Sequence, residues 1–203
     1  MDCATCESKG CRDGEDCEGR RDEMQTLYQD PAVQAIARAA AEVEACYYGQ
    51  ACRLEELIAF AKRMEFERLG LAFCIGLSEE AKTLAGILAR HFKVSSICCK
   101  ICGLPAGDLA ELKAQKGMSP VSCNPLGQAE VLNEQGTDLN VIVGLCIGHD
   151  VLFTQASKAP VTTFIVKDRV LAHNPAAALY SRYVRRRFDR KEETLGEQGA
   201  FPA

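Results

Sequence analysis

Between residues 69 and 166 short apolar runs alternate with helical patterns, and this alternation limits the possible folds more than any other feature of the sequence. The apolar runs predict buried strands at 69–75, 94–98, 139–145 and 161–166. Helices are predicted between the strands at 79–92, over about ten residues from 125, and at 149–156, with a closing helix after Pro175. This order is typical of right-handed crossovers and a mainly parallel sheet flanked by helices. The predicted fold is therefore α/β and Rossmann-like.

Helix boundaries are indicated by capping residues. Ser78 is expected to cap the helix at 79–92, and Asn124 followed by Pro125 is expected to open the next helix. Upstream of the sheet, two amphipathic helices are predicted at 31–47 and 52–68, the first capped by Asp30. We therefore interpret residues 31–203 as a helical lead-in followed by the α/β domain.

Residues 1–30 form a separate segment of different composition. They contain nine acidic and four basic residues, a local balance of -5, and almost no side chains that could build an apolar core. Glycines at 10, 14 and 19 are expected to interrupt any helix. Such a segment should be disordered unless something other than burial orders it.

The overall composition argues against several classes of protein. Hydrophobic residues make up 47% of the chain and charged residues 26%, which is the balance of a soluble globular protein. No apolar run approaches the ~18–20 residues needed to span a bilayer. The net charge of -4 and the absence of tryptophan disfavour nucleic-acid binding. Because the N-terminus shows no secretory or transit signal, we expect a cytoplasmic protein without membrane or nucleic-acid partners.

Cysteine is the unusual component, with 12 residues in a chain of 203. In a reducing compartment, clustered cysteines more often bind metal or do redox chemistry than form disulfides. The first cluster lies in the acidic segment and consists of Cys3, Cys6, Cys11 and Cys17. Four thiolates complete either a tetrahedral zinc site or an iron–sulfur cluster, so the sequence predicts a metal-binding segment and leaves the metal open.

A second set of cysteines follows the predicted strands. Because ligands collect at the carboxyl ends of parallel strands, we expect a cofactor, most specifically a 4Fe-4S cluster, at this edge. The candidate ligands are Cys74, Cys98 or Cys99, Cys123 and Cys146. The alternative is that these cysteines are small core residues. Cys46, Cys52 and Cys102 are left open as ligands or core residues, and the core is favoured for the first two.

Polar residues are predicted at the same edge of the sheet. His149 and Asp150 follow Cys146 directly and are the candidates for catalytic proton transfer, although Asp150 could simply cap a helix. The Lys167-Asp168-Arg169 run could be a solvated turn, and His173-Asn174 could be a helix start.

These motifs resemble a prokaryotic family of cysteine-rich proteins that is catalogued as a domain of unknown function and often labelled metal-binding. The matching stretches are the 3–17 cysteine array, FCIGL at 73–77, CCKICG at 98–103, CNP at 123–125, GLCIGHD at 144–150, KAPVT at 158–162, KDR at 167–169 and HNP at 173–175. The resemblance covers nearly the whole chain. It implies cysteine-bound metal and brings no established reaction.

Three functions follow from these observations. The first is an iron–sulfur protein with a second four-cysteine site, zinc or iron–sulfur, in redox or sulfur-related chemistry, with a redox partner protein or a small sulfur-containing substrate. The second is a zinc-stabilised binding module without catalysis. The third is a thiol or persulfide carrier that reacts through Cys98, Cys99 and Cys102.

Overall fold

The computed structural model describes residues 2–106 and 119–189, and the chain divides into two compact units, Met1–Met64 and Glu65–Ala203. Over the described ranges the chain forms eight α-helices and four β-strands. The helices are α1 (Arg21–Leu27), α2 (Pro31–Tyr47), α3 (Arg53–Arg63), α4 (Ser78–Leu88), α5 (Pro125–Glu134), α6 (His149–Ala156), α7 (Ala177–Tyr180) and α8 (Arg182–Asp189). The strands are β1 (Arg68–Phe73), β2 (Lys93–Cys98), β3 (Leu139–Val143) and β4 (Val161–Ile165). None of the described helices is long and apolar enough to cross a membrane.

The first unit contains a helical pair preceded by the cysteine-rich segment. Helix α2 begins as predicted, because the Asp30 carboxylate accepts the N–H of Ala32 at 2.8 Å and Pro31 takes the first position. Helices α2 and α3 contact each other, and their buried side chains are Ala39, Val43, Leu57 and Ala61. Helix α3 ends before the predicted residue 68, since Glu65 adopts a φ of 57° that no helix interior accommodates.

The cysteine-rich segment has local structure without burial. Among residues 2–30 no side chain is buried, yet a short 3-10 helix spans Gly10–Asp13 and α1 follows. Helix α1 is compatible with the expectation that the glycines at 10, 14 and 19 interrupt helices. The helix starts after the last glycine, and the Asp16 carboxylate accepts the N–H groups of Arg20 and Arg21 at its first turn.

The second unit is built on a parallel sheet, which confirms the predicted α/β class. The strand order is β2-β1-β3-β4, and every pair of neighbours is parallel. Phe73 at the end of β1 lies opposite Cys98 on β2 and Val143 on β3, so these three strands end at the same level. Strand β3 is buried along its whole length, as its continuous apolar run predicts.

Of the helix caps predicted at Asn124 and Ser78, the structure confirms the first and contradicts the second. The Asn124 side chain accepts the N–H of Gly127 at 2.8 Å, so the predicted cap of α5 is confirmed. Ser78 does not cap α4. It is the first residue of that helix, and its hydroxyl donates to the carbonyl of Ile75 in the preceding 3-10 turn (Ile75–Leu77), which the sequence pattern did not predict.

Gly144 fixes how the chain leaves β3. Its φ is 65°, and a Cβ placed there would lie 1.9 Å from Cδ1 of the buried Leu77. Both the backbone conformation and the close approach of Leu77 therefore require glycine at the point where the chain turns away from the sheet.

We expect Gly144→Ala to lower the free energy of unfolding by more than about 1 kcal/mol, because the new methyl group meets Leu77 and the positive φ becomes strained. Gly86→Ala is the matched control. Gly86 lies inside α4 with open space around its Cβ position, so alanine should stabilise the protein by about 0.5–1 kcal/mol. Urea denaturation measures both values, and equal effects of the two substitutions would contradict this assignment.

Candidate functional site

Four cysteines from four chain segments lie at the carboxyl edge of the sheet. Cys74 follows β1, Cys99 follows β2, Cys123 lies two residues before α5, and Cys146 follows β3. Cys74 and Cys99 are buried, whereas Cys123 and Cys146 are half-buried. The structure therefore brings the predicted ligands to one edge, with Cys74 and Cys99 in the interior and Cys123 and Cys146 nearer to solvent.

Backbone hydrogen bonds hold these turns against one another. The Cys74 N–H donates to Val143 O at 3.2 Å, and the Cys99 N–H donates to Phe73 O at 2.9 Å, so each bond extends the strand ladder by one residue. The Asn124 N–H donates to Cys99 O at 2.8 Å and ties the turn that carries Cys123 to the end of β2. The positions of Cys74, Cys99 and Cys123 thus follow from the register of the sheet.

Cys99 is the thiol at the centre of this group. Its Sγ lies 3.8 Å from Cys123 Sγ and accepts the N–H of Ile75 at 3.3 Å. Burial raises the pKa of Cys99 to about 12, and the nearby Cys123 and Cys74 add to the rise, while the Ile75 N–H opposes it. Without a compensating positive charge, this thiol stays protonated at neutral pH.

Two cations contact the other thiols. Lys167 Nζ donates to Cys74 Sγ at 3.4 Å, and Arg169 Nη2 donates to Cys146 Sγ at 3.1 Å. Burial raises the pKa of Cys74, but the Gly76 N–H and the charge of Lys167 outweigh it, so that the net pKa lies below its ordinary value. The pKa of Arg169 is raised, first by its hydrogen bond to Cys146, and Cys74 and Cys123 also contribute. The predicted 167–169 turn therefore supplies positive charge to the thiols.

The turn after β4 is held in a fixed shape. The Asp168 carboxylate accepts the N–H groups of Val170 and Leu171, and the Asp168 N–H donates to Nδ1 of His173 at 3.1 Å. Ala172 and His173 both have positive φ. Asp168 and His173 thus stabilise the backbone, and this geometry turns the two flanking cations toward Cys74 and Cys146.

The structure distinguishes the adjacent cysteines of β2. Cys98 is the last residue of the strand and is half-buried, and its Sγ accepts the N–H of Lys100 at 3.5 Å. Cys99 lies in the turn after the strand, and its Sγ is 3.8 Å from Cys123 Sγ. Of the pair that the sequence leaves open, Cys99 is the one that contacts Cys123.

The other candidate residues lie apart from these contacts. His149 begins α6 and is half-buried, and burial together with Lys100 lowers its pKa. Asp150 accepts the N–H of Val151 at 2.8 Å through its carboxylate, as a residue of a first helical turn does. Cys102 is exposed in the left-handed conformation, with a φ of 66°.

Cys46 and Cys52 are exposed, so the expectation that they are core residues is wrong. Cys46 lies on a solvent-facing part of α2, and Cys52 is the residue that precedes α3. The Cys52 N–H donates to the Glu55 carboxylate at 2.7 Å, and the Cys52 side chain accepts the backbone N–H of Glu55, so the two residues form a capping box at this helix start.

The N-terminal array lies around the 3-10 helix Gly10–Asp13. Its thiols Cys3, Cys6, Cys11 and Cys17 are all exposed. Partial desolvation and the charges of Glu15, Cys11 and Cys6 raise the pKa of Cys17. The predicted metal site of this segment stays a prediction.

Neither group of thiols is arranged around a single point. Within residues 2–106 and 119–189, no three His, Cys, Asp or Glu side chains are close enough together to hold one metal ion. Cys99 contacts Cys123 and also interacts directly with Cys74, and Arg169 links Cys146 to this group. The ligand assignments from the sequence therefore stay predictions.

Gln128 is a residue of this region that the sequence analysis missed. It is fully buried in α5, and its amide Nε2 donates to Ile97 O at 2.7 Å and to Phe73 O at 3.2 Å. These carbonyls belong to the residues just before Cys98 and Cys74. The available signal was a lone glutamine four residues after the Asn124 cap, on a helix face that is otherwise apolar.

We expect Lys167→Met to raise the pKa of the Cys74 thiol in metal-free protein, because the substitution removes the cation that offsets burial. The measurement is the pH titration of the Cys74 Cβ signal in protein labelled with 13C-cysteine. Lys158→Met, which removes an exposed lysine that makes no contact with Cys74, is the control and should leave that titration unchanged. An unchanged midpoint in Lys167→Met would show that the ammonium group does not act on this thiol.

Comparison with known proteins places the chain in a family. It belongs to the family described as "Protein of unknown function (DUF1847)", whose model matches residues 12–164. The chain is similar to the uncharacterized protein MJ0455 of Methanocaldococcus jannaschii, with 53% identity over 186 residues, which cover 90% of this chain and 95% of that protein. No solved structure matches the chain significantly.

Proposed function

We propose that this DUF1847 family member is a cytoplasmic cysteine-ligated metal protein that acts in redox or sulfur-related chemistry. An iron–sulfur cluster, of the 4Fe-4S type, would be held at the sheet edge by Cys74, Cys99, Cys123 and Cys146. The N-terminal array, Cys3, Cys6, Cys11 and Cys17, would form a second site for zinc or a further cluster. The observation that carries the proposal is the convergence of four thiols, from four separate chain segments, with two cations in contact with them.

The charges around the edge thiols fit an anionic centre. Four thiolates bring more negative charge than the metal of a cluster neutralises, and Lys167 and Arg169 each contact one thiol. The Ile75 N–H already points at Cys99 Sγ, which is the type of hydrogen bond that tunes the reduction potential of a cluster. The raised pKa of Cys99 also requires a nearby positive charge before the thiol can ionise.

The origin of the thiols in four separate chain segments supports a cluster. A cluster binds each thiolate at a different iron, so its ligands surround a volume and need not meet at one point. Among the described residues no three donors are close enough to hold one ion, and Cys99, which interacts with both Cys123 and Cys74, would have to move apart from them for each thiolate to reach a different iron. When bound, such a cluster supplies one-electron chemistry or, at an iron without a protein thiolate, Lewis-acid chemistry.

A mononuclear zinc site is the second candidate at this edge. Two thiolates at about 2.3 Å from a tetrahedral zinc ion lie about 3.8 Å apart, and the Cys99–Cys123 separation is 3.8 Å. A thiol or persulfide carrier that reacts through Cys99 has less support, because this thiol is buried and its pKa is about 12.

We assign proton transfer at the edge site to His149 and Asp150 from their position. His149 lies one helical turn after Cys146, and its N–H donates to the carbonyl of that cysteine at 2.9 Å. A half-buried imidazole at the open side of a thiol cluster can exchange protons with solvent.

The test of the edge site compares the two adjacent cysteines of the β2 turn after anaerobic purification. Cys99→Ala should lose the iron and acid-labile sulfide of this site, whereas Cys98→Ala should keep them, because Cys99 is the member of the pair whose Sγ lies 3.8 Å from Cys123 Sγ. Both variants remove one sulfur at neighbouring positions, and circular dichroism checks that each is folded. Equal metal and sulfide contents in the two variants would refute the assignment. Zinc without sulfide would establish the second candidate.

The N-terminal site has its own test. The double variant Cys6→Ala/Cys11→Ala should lose the metal of the array and keep the iron and sulfide of the sheet edge, because the two sites belong to different compact units. The paired control Cys46→Ala/Cys52→Ala removes two exposed thiols of the same unit and should retain both sites. Loss of all metal from the first double variant would contradict the two-site assignment.

A further inference from the structure

Two free thiols at the edge of the sheet lie in direct contact. The Sγ atoms of Cys99 and Cys123 are 3.8 Å apart, although the two residues are 24 positions apart in the chain. A disulfide bond joins its sulfur atoms at about 2.05 Å, so the sulfurs of this pair need to approach by about 1.8 Å to bond. A small adjustment of the two side chains is therefore enough to close the pair.

The backbone around the pair permits this adjustment. Cys99 lies in the turn after β2 and Cys123 in the loop that leads into α5, so neither residue belongs to a strand or a helix. The Asn124 N–H donates to Cys99 O at 2.8 Å, which holds the two cysteines within one peptide unit of each other. A disulfide needs its Cα atoms about 4.4–6.8 Å apart, and residues of hydrogen-bonded backbones have this separation.

The surroundings of the pair suit a disulfide. Cys99 belongs to an apolar cluster with Leu145 and Phe153, and Cys123 packs against the same cluster. A disulfide is uncharged and has no hydrogen-bond donor, so it can be buried among apolar side chains without an unsatisfied polar group. Closing the pair therefore places no charge in the core of this unit.

The exposure of the thiols sets the order in which they react. Cys123 is half-buried, whereas Cys99 is only 3% exposed, so a small molecule from solvent reaches Cys123 first. Cys74 also interacts with Cys99, but it is buried and its Sγ accepts a hydrogen bond from Lys167 Nζ. Cys123 is therefore the entry thiol, and Cys99 lies behind it as the second thiol.

We infer that Cys99 and Cys123 form a reversible disulfide by exchange with small organic disulfides, and that Cys123 reacts first. Cys123 Sγ bonds to one sulfur of the organic disulfide, whose other half leaves as a thiol with the Cys123 proton. Cys99 Sγ then bonds to Cys123 Sγ, and the second organic thiol leaves with the Cys99 proton. The two cysteines are oxidised, and the organic disulfide is reduced to two thiols. The inference goes beyond the proposed function, because the exchange needs no metal.

The experiment equilibrates the full-length protein, freed of metal with EDTA, with oxidised glutathione, traps free thiols with iodoacetamide and maps the disulfides by mass spectrometry. The expected product is a Cys99–Cys123 cross-link that dithiothreitol reverses. In Cys99→Ala, Cys123 should instead carry glutathione at about tenfold higher occupancy than in the unchanged protein, because the neighbouring thiol that displaces glutathione is missing. Cys98→Ala is the matched control and should keep the cross-link, since the contact with Cys123 is made by Cys99.

Three results would overturn the inference: glutathione that stays on Cys123 in the unchanged protein, a Cys74–Cys99 cross-link in its place, or loss of the cross-link in Cys98→Ala. If Cys99→Ala does not fold, the maps of the unchanged protein and of Cys98→Ala decide the question alone. Because Cys99 and Cys123 are also proposed ligands, a bound metal should block the cross-link. Equal cross-linking before and after removal of metal would refute that ligand assignment and leave the disulfide pair established.

Discussion

The common end point of β1, β2 and β3 is the constraint on which the site depends. In a parallel sheet every crossover returns the chain to the same edge, and the pairing of Phe73 with Cys98 and Val143 sets these ends level. A shift of one strand by a single residue would turn its side chains to the opposite face and move its cysteine away from the others. The buried packing of β1 and β3 therefore positions the thiols as well as stabilising the fold.

The fold was predictable because its signals are local and repeated. Continuous apolar runs identify buried strands, and the pairs Asp30-Pro31 and Asn124-Pro125 mark the starts of α2 and α5. The elements that the sequence did not reveal depend on single contacts. Helix α1 starts where the Asp16 carboxylate accepts the N–H groups of Arg20 and Arg21. The Ser78 hydroxyl, which a capping pattern would assign to α4, donates instead to the carbonyl of Ile75 in the preceding 3-10 turn.

The composition of the site was predictable in part, and its electrostatics were not. Cysteines at strand ends follow from topology, but which member of the pair Cys98 and Cys99 faces Cys123 depends on side-chain direction at one residue. The run Lys167-Asp168-Arg169 reads as a solvated turn. Its contacts with Cys74 and Cys146 depend on two residues of positive φ further along, Ala172 and His173, and neither is a glycine that would signal such a turn.

Gln128 has a consequence for how the edge responds to a bound group. One buried amide joins the last carbonyl of β1 and the penultimate carbonyl of β2 to helix α5, so the turns that carry Cys74, Cys99 and Cys123 are connected through the same side chain. A displacement of any one of these thiols strains the same two hydrogen bonds. Binding of a group by these thiols should then be cooperative, so that forms with only some of the thiols bound are rare. The ends of β1 and β2 should become more rigid when the group binds.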